Sequence, residues 1–199
     1  MTTAPEALIR DLEHEDALDG PQQVIGRVRE ALPDPVREEL EGTRLGHPLH
    51  PLFTDLPIGF WTSAFCLDLV APRRGATAAR RFVGLGVLSA VPTVATGLAD
   101  FGYLSPGKRR VAVVHVAANA SATAAYGLSY LARRRGRLAR GIAFGMVGAA
   151  FATAGGFLGG HLAFGHDSLE DDAKDAAPES AAAGVATDPS NGHAVPLRV

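Results

Sequence analysis

Residues 82–103, which read FVGLGVLSAVPTVATGLADFGY, decide the fold of this chain. No charged residue occurs in this stretch before Asp100. A helix of about 20 mostly apolar residues is long enough to cross the hydrocarbon core of a bilayer. The stretch therefore predicts a membrane-spanning helix.

Three further apolar stretches predict three more spans, at about residues 53–71, 111–132 and 139–163. The first of them is the weakest, because Asp55 and Asp68 lie near its two ends. Together the stretches predict an all-α fold: a four-helix transmembrane bundle with up-down topology, within a membrane domain at residues 43–166.

The two segments outside this domain are polar. Residues 1–42 are predicted to hold short amphipathic helices, one over residues 22–32 and one from Asp34 onward, after a poorly ordered start at residues 1–20. Residues 167–199 begin acidic and then become rich in alanine, glycine and serine, which predicts a disordered tail.

Cations predict the orientation of the chain. Nine arginines lie in or beside the first and third connections of the bundle, and four cations lie near the opposite helix ends. The positive-inside rule then predicts a multi-pass protein with both termini outside. Because the arginine clusters are explained as topology signals, we predict no nucleic-acid partner.

Five of the seven histidines are predicted to lie at one end of the bundle, because the chain alternates in direction. They are His47 and His50 before the first span, His115 early in the third, and His161 and His166 at the end of the fourth. Asp55 and Asp100 are expected at a similar depth. Placing an ionisable group within a span costs free energy, and such groups often belong to a functional site.

Polar residues at helical spacing predict the inward face of each helix, since polar groups avoid lipid. The first span is predicted to face inward at Asp55, Gly59, Thr62 and Cys66, and the second at Ser89, Thr93, Thr96 and Asp100. The third is predicted to do so at His115, Asn119, Thr123, Tyr126 and Tyr130, and the fourth at Thr153, Phe157 and His161. Small residues at Gly148, Ala152, Gly156 and Gly160 predict close helix approach, within the bundle or in a homo-oligomer.

This cluster fits three chemistries. Haem b needs two axial ligands, for which His115 with His161, or His50 with either, are candidates. A divalent metal needs imidazole and carboxylate ligands, for which the candidates are His47, His50, Asp55, Asp100, His115 and His161. Quinone or proton exchange would use the same groups. The alternative is structural: Asp55 caps a helix, and Asp100 pairs with His115. No catalytic residue is predicted.

Two motifs carry a family resemblance. Leu45-Gly46-His47-Pro48-Leu49-His50-Pro51 precedes Thr54-Asp55-Leu56-Pro57-Ile58-Gly59-Phe60-Trp61, and Gly159-Gly160-His161-Leu162 ends the fourth span. Together with His115 and the stretch from Gly97 to Asp100, they resemble a bacterial four-helix membrane family named domain of unknown function 2231, over about residues 40–166. The resemblance implies a protein of the bacterial plasma membrane.

Some members of that family continue into a Rieske iron–sulfur domain, which implies an electron-transfer setting. This sequence has no Cys-x-His pattern in its tail, and its one cysteine, Cys66, lies in the first span, so no iron–sulfur cluster is expected. We therefore predict a redox-associated membrane subunit that binds haem, metal or quinone and works with a separate redox protein. The alternative is a non-catalytic membrane scaffold or anchor for a partner protein.

Overall fold

The computed structural model describes residues 4–165, which form helices joined by turns, without a strand. The helices are α1 (Ala4–Glu13), α2 (Asp19–Glu30), α3 (Asp34–Glu41), α4 (Leu49–Val70), α5 (Ala76–Asp100), α6 (Pro106–Arg134) and α7 (Leu138–Phe164). The all-α prediction is confirmed. The predicted tail and His166 lie outside the described residues.

The four apolar stretches correspond to α4–α7, with one shift that affects the candidate site. α4 begins at Leu49 and not near residue 53, so His50 lies in its first turn rather than in a loop. Pro51 is compatible with this start, because the first turn of a helix leaves its N–H groups without intrahelical partners.

Three helical segments within residues 4–165 are long and apolar enough to cross a membrane: Ala76–Tyr103, Pro106–Arg134 and Leu138–Phe164. The first includes the short 3-10 turn that follows α5. α4 carries Asp55 and Asp68 and is not among them. By length and composition, three of the four expected spans are found, and the span at α4 stays a prediction.

The long helices form two antiparallel hairpins, since α4 packs most closely against α5, and α6 against α7. One end of the molecule holds the start of α4 and α6 and the end of α5 and α7. We call it the histidine end, because His50, His115 and His161 lie there. The opposite end holds Arg80, Arg81 and Arg134 and is called the arginine end.

An aromatic pair joins the hairpins midway along their length. The rings of Trp61 on α4 and Tyr126 on α6 stack with their centroids 4.2 Å apart and their planes at 12°. A Cβ at Gly86 would lie 2.2 Å from the indole nitrogen, and one at Gly148 would lie 2.8 Å from the tyrosine ring. Glycine at these two positions of α5 and α7 therefore leaves the volume that the stack occupies.

The inward face of α4 differs from the predicted one. Pro57, Trp61 and Ala64 are buried, whereas Asp55, Gly59, Thr62 and Cys66 are exposed. Polarity predicted the wrong stripe because the large ring of Trp61 gains more from burial than the small polar side chains do. The predicted faces of α5 and α6 are buried or partly buried throughout, as expected.

The inward face of α7 is also corrected. Thr153, Phe157, Gly156 and Gly160 are exposed. Gly148 lies against Tyr126, as the predicted series of small residues expected. The other glycines that α6 side chains approach closely are Gly141, Gly155 and Gly159, which face Arg133, Asn119 and His115 in turn. Three of these glycines recur every seven residues, which is the period of a helix seam.

The N-terminal helices pack on the histidine end, so the expectation of a poorly ordered start is wrong for residues 4–20, the part of residues 1–20 that the structure describes. Ile9 of α1 is buried against Val111 of α6 and Leu158 of α7. Glu13, at the end of α1, is 1% exposed. The predicted helices over residues 22–32 and from Asp34 correspond to α2 and α3.

The two hairpins are structural repeats of each other. His50, Trp61 and Asp68 of α4 correspond to His115, Tyr126 and Arg133 of α6, each 65 positions later. On the second helix of each hairpin, Gly86, Thr93 and Gly97 correspond to Gly148, Gly155 and Gly159, each 62 positions later. Because corresponding residues of α4 and α6 face each other, the hairpins are related by an approximate twofold axis along their length.

Candidate functional site

His50 is held inside the first hairpin. Its Nδ1 lies 3.0 Å from the carbonyl oxygen of Thr93, and its ring lies flat against Gly97 of α5. A carbonyl oxygen only accepts hydrogen bonds, so Nδ1 carries the proton and donates it. The Thr93 hydroxyl in turn donates to the carbonyl of Phe53, 2.9 Å away, which the missing N–H of Pro57 leaves available.

His115 is held in the second hairpin by an equivalent set of contacts. Its Nδ1 lies 2.8 Å from the carbonyl oxygen of Gly155, to which it donates, and its ring lies against Gly159 of α7. The side-chain nitrogen of Asn119 donates to the His115 carbonyl at 2.9 Å and lies 3.3 Å from the ring Nε2. Carbonyl and glycine are four positions apart in both hairpins.

His50 and His115 occupy equivalent positions of the two hairpins, and both lie at the histidine end of the bundle. With each Nδ1 donating to a backbone carbonyl, each Nε2 is left unprotonated, and the Nε2 of His115 has the Asn119 amide within hydrogen-bond distance. A histidine that binds a metal usually has this arrangement, because the bond at one nitrogen fixes the ring and makes the other nitrogen a better ligand. We call these two residues the histidine pair.

The other predicted site residues do not join this pair. His161 donates from Nε2 to a Glu13 carboxylate oxygen 2.9 Å away. Asp100 is the last residue of α5 and follows Ala99, whose carbonyl accepts from Arg29. The side chains of His47 and Asp55 are exposed.

No group of three or more His, Cys, Asp or Glu side chains within residues 4–165 is arranged to hold a metal ion. The geometry therefore does not assemble the six-residue ligand set that the sequence suggested. What remains of that set is a pair of imidazoles, one at the equivalent position of each hairpin.

A buried ion pair at the arginine end was not foreseen from the sequence. Both guanidinium NH groups of Arg133 donate to the carboxylate of Asp68, with Nη1 to Oδ1 at 2.8 Å. The two side chains are 2% and 8% exposed. Arg133 also donates from Nε to the Ser129 hydroxyl at 3.1 Å. Arg133 is therefore a core residue and is not one of the free cations of the third connection.

Arg110 fixes the N-terminal helices to α6, and it too was missed. Its guanidinium donates to Asp19 at 2.8 Å, to Asp16 at 2.7 Å and to the carbonyl of Glu13 at 2.9 Å. The hydrogen bond from Arg110 lowers the pKa of the Asp19 carboxyl below its usual value. The sequence signal was the acidic run around residues 11–19, for which an intramolecular basic partner could have been sought.

A second polar cluster fixes α2 and α3 to the end of α5. Arg29 donates from Nε to the Ala99 carbonyl at 2.7 Å and from Nη2 to Glu41 at 2.8 Å. The Tyr103 hydroxyl donates to the other Glu41 oxygen at 2.7 Å. Together with Arg110, this cluster makes the N-terminal helices a lid on the histidine end.

The family of the chain follows from a direct match. Residues 46–170, more than half of the chain, match the model of the family described as a predicted membrane protein (DUF2231). The chain belongs to the DUF2231 family. The resemblance seen in the two sequence motifs is thereby confirmed, and DUF2231 membership makes the chain a membrane protein. No match was found to a curated protein or to a solved structure.

Proposed function

We propose that this DUF2231 protein is a four-span, redox-associated membrane subunit whose histidine pair would hold haem b. The observation that supports the proposal is the pair itself: two imidazoles occupy equivalent positions of the two hairpins, and each has its Nδ1 bonded to a backbone carbonyl. A separate redox protein would exchange electrons with it.

The number of ligands favours haem over a bare divalent metal. Structural zinc takes four protein ligands and catalytic zinc takes three, and no such group occurs within residues 4–165. A porphyrin brings four nitrogens of its own, so two imidazoles complete its iron. When bound, haem would supply one-electron transfer. The protein would orient the imidazoles and set the potential through their hydrogen bonds.

The proposal of a fourth span is supported by the repeat. α4 occupies in the first hairpin the position that α6 occupies in the second, and α6 is apolar enough to cross a membrane. The two acidic groups of α4 need not oppose insertion. Asp68 is paired with Arg133, and Asp55 lies near the helix start, where water is close.

A spectrum tests the haem proposal. The full chain is purified in mild detergent and titrated with haem, and we expect a low-spin spectrum with a sharp Soret band. His50→Ala and His115→Ala should each lose this spectrum, because one axial ligand is gone. His47→Ala, which removes an exposed histidine of the same motif, should keep it.

A colourless protein, or one whose spectrum survives in both variants, would contradict the haem proposal. That result would favour the scaffold alternative, since each ring already has one carbonyl partner and can serve to join two helices. His50→Asn and His115→Asn keep a side-chain donor for the carbonyl, so they separate loss of ligation from loss of folding.

A further inference from the structure

A groove opens between α5 and α6 at the arginine end, with a volume of about 600 Å³. Arg80 and Arg81 lie on its α5 side and Arg134 on its α6 side. The floor is open beside Gly127, where an added Cβ would meet nothing within 4 Å. We call this feature the arginine groove.

The three arginines of the groove are available to an external anion. None of them forms a hydrogen bond or ion pair with another group in residues 4–165, and Arg81 and Arg134 are exposed. Arg133, the neighbour of Arg134, shows the contrast because its guanidinium is fully engaged by Asp68. The groove therefore concentrates positive charge that the fold itself does not neutralise.

The repeat provides an internal comparison for this groove. At the equivalent seam, between α7 and α4, the positions of Arg80, Arg81 and Arg134 are held by Ile142, Ala143 and Leu69. The positions of Gly84 and Gly127 are held by Met146 and Thr62. The hairpin fold therefore requires neither the arginines nor the glycines.

The walls of the groove become apolar toward the middle of the helices. Leu85 and Leu88 of α5 are 44% and 69% exposed, and both line the groove. In a span, side chains this exposed face lipid. The groove thus offers guanidinium groups at headgroup level and an apolar surface beneath them.

We propose that the arginine groove is a binding site for one anionic phospholipid. Guanidinium groups donate paired hydrogen bonds to phosphate oxygens, and basic pockets between spans are a known way to hold anionic headgroups. The acyl chains would lie along Leu85 and Leu88. The site is independent of the histidine pair, which lies at the other end of the molecule.

Lipid binding by the purified full chain tests this proposal. We expect phosphatidylglycerol in mixed micelles to bind more tightly than phosphatidylcholine, with the preference falling roughly fivefold for each arginine removed. The triple variant Arg80→Gln, Arg81→Gln, Arg134→Gln should abolish the preference. The matched control Arg73→Gln, Arg74→Gln, Arg135→Gln removes the same charge at the same end and should keep it.

Two further arms distinguish a lipid site from a general charge effect. Gly127→Leu fills the open floor without changing charge and should weaken phosphatidylglycerol binding as much as the triple variant. Inorganic phosphate should protect the protein from thermal unfolding far less than the lipid does. Equal binding of both lipids, an equal loss in the control variant, unchanged binding in Gly127→Leu, or equal protection by phosphate would each overturn the proposal.

Discussion

The ion pair of Asp68 and Arg133 shows how the energetic effect of a buried charged residue depends on its partner. Taken alone, each lowers the apolar character of its helix. Together they satisfy each other, and the Ser129 hydroxyl, which also donates to the Gly141 carbonyl at 2.6 Å, accepts the third guanidinium bond. A buried pair of this kind adds little net stability, but breaking it leaves an uncompensated charge.

Removing one partner of this pair should therefore be costly. We expect Asp68→Ala to lower the free energy of unfolding by about 3–5 kcal/mol, because Arg133 remains buried without a counter-charge. Thermal or denaturant unfolding in detergent measures the change. The control Glu39→Ala removes one partner of the exposed Arg44–Glu39 pair and should cost about 0–1 kcal/mol. Similar losses in the two variants would contradict the burial argument.

Helix α7 shows how glycines determine which face of an element packs. The sequence alone does not show which of Gly148 and Gly156 faces the bundle, since both lie in one apolar run. The structure distinguishes them by their neighbours. Gly148 lies against the Tyr126 ring, and Gly156 has nothing within 4 Å.

Alanine at these two glycines should have opposite effects. Gly148→Ala should cost about 1–3 kcal/mol of stability, because its methyl group overlaps the tyrosine ring of the central stack. Gly156→Ala should gain about 0.5–1 kcal/mol, because alanine is the better helix former and space is free. Unfolding of the two variants under the same conditions measures both values. A loss at Gly156 would show that its face is covered by another molecule.

The attachment of the N-terminal helices should depend on pH. Arg110 lowers the pKa of Asp19, whose ordinary value is 3.8, so the ion pair contributes fully above that pH. Its contribution is lost as pH falls through the lowered value. We expect acid to increase proteolysis within α2 in the native protein. Arg110→Gln should raise proteolysis at neutral pH and flatten this acid dependence, even though other acidic groups, Asp16 among them, still titrate.

Much of the architecture was predictable at the scale of the whole molecule, because the apolar runs locate all four long helices, although α4 begins at Leu49, before its run. The inward faces of α4 and α7 were not, since they depend on which large ring meets which glycine. Of the candidate site, the histidine end was predictable from chain direction. The pairing of His161 with Glu13 was not, because it joins residues 148 positions apart.

The internal repeat did leave a sequence signal. A histidine precedes an aromatic residue by the same interval in α4, at His50 and Trp61, and in α6, at His115 and Tyr126. A comparison of the two halves at this interval would also have aligned Asp68 with Arg133 and suggested their pairing.

Site-directed labelling tests the number of crossings. In a Cys66→Ser background, single cysteines are placed at Leu45, Arg73, Ser105 and Gly136 and treated with an impermeant reagent. If α4 crosses the membrane, Leu45 and Ser105 should react from one side, and Arg73 and Gly136 from the other. Reaction of Leu45 and Arg73 from the same side would limit the protein to three spans.

The opposite charges at equivalent positions of the two hairpins have a consequence for assembly. Two copies of the first hairpin, docked about the same axis, would bring two copies of Asp68 together, and two copies of the second would do the same with Arg133. Like charges repel strongly away from water. Only a first hairpin paired with a second hairpin is neutral where Asp68 and Arg133 meet. A chain expressed as two separate hairpins should therefore assemble from one copy of each and not from two copies of the same hairpin.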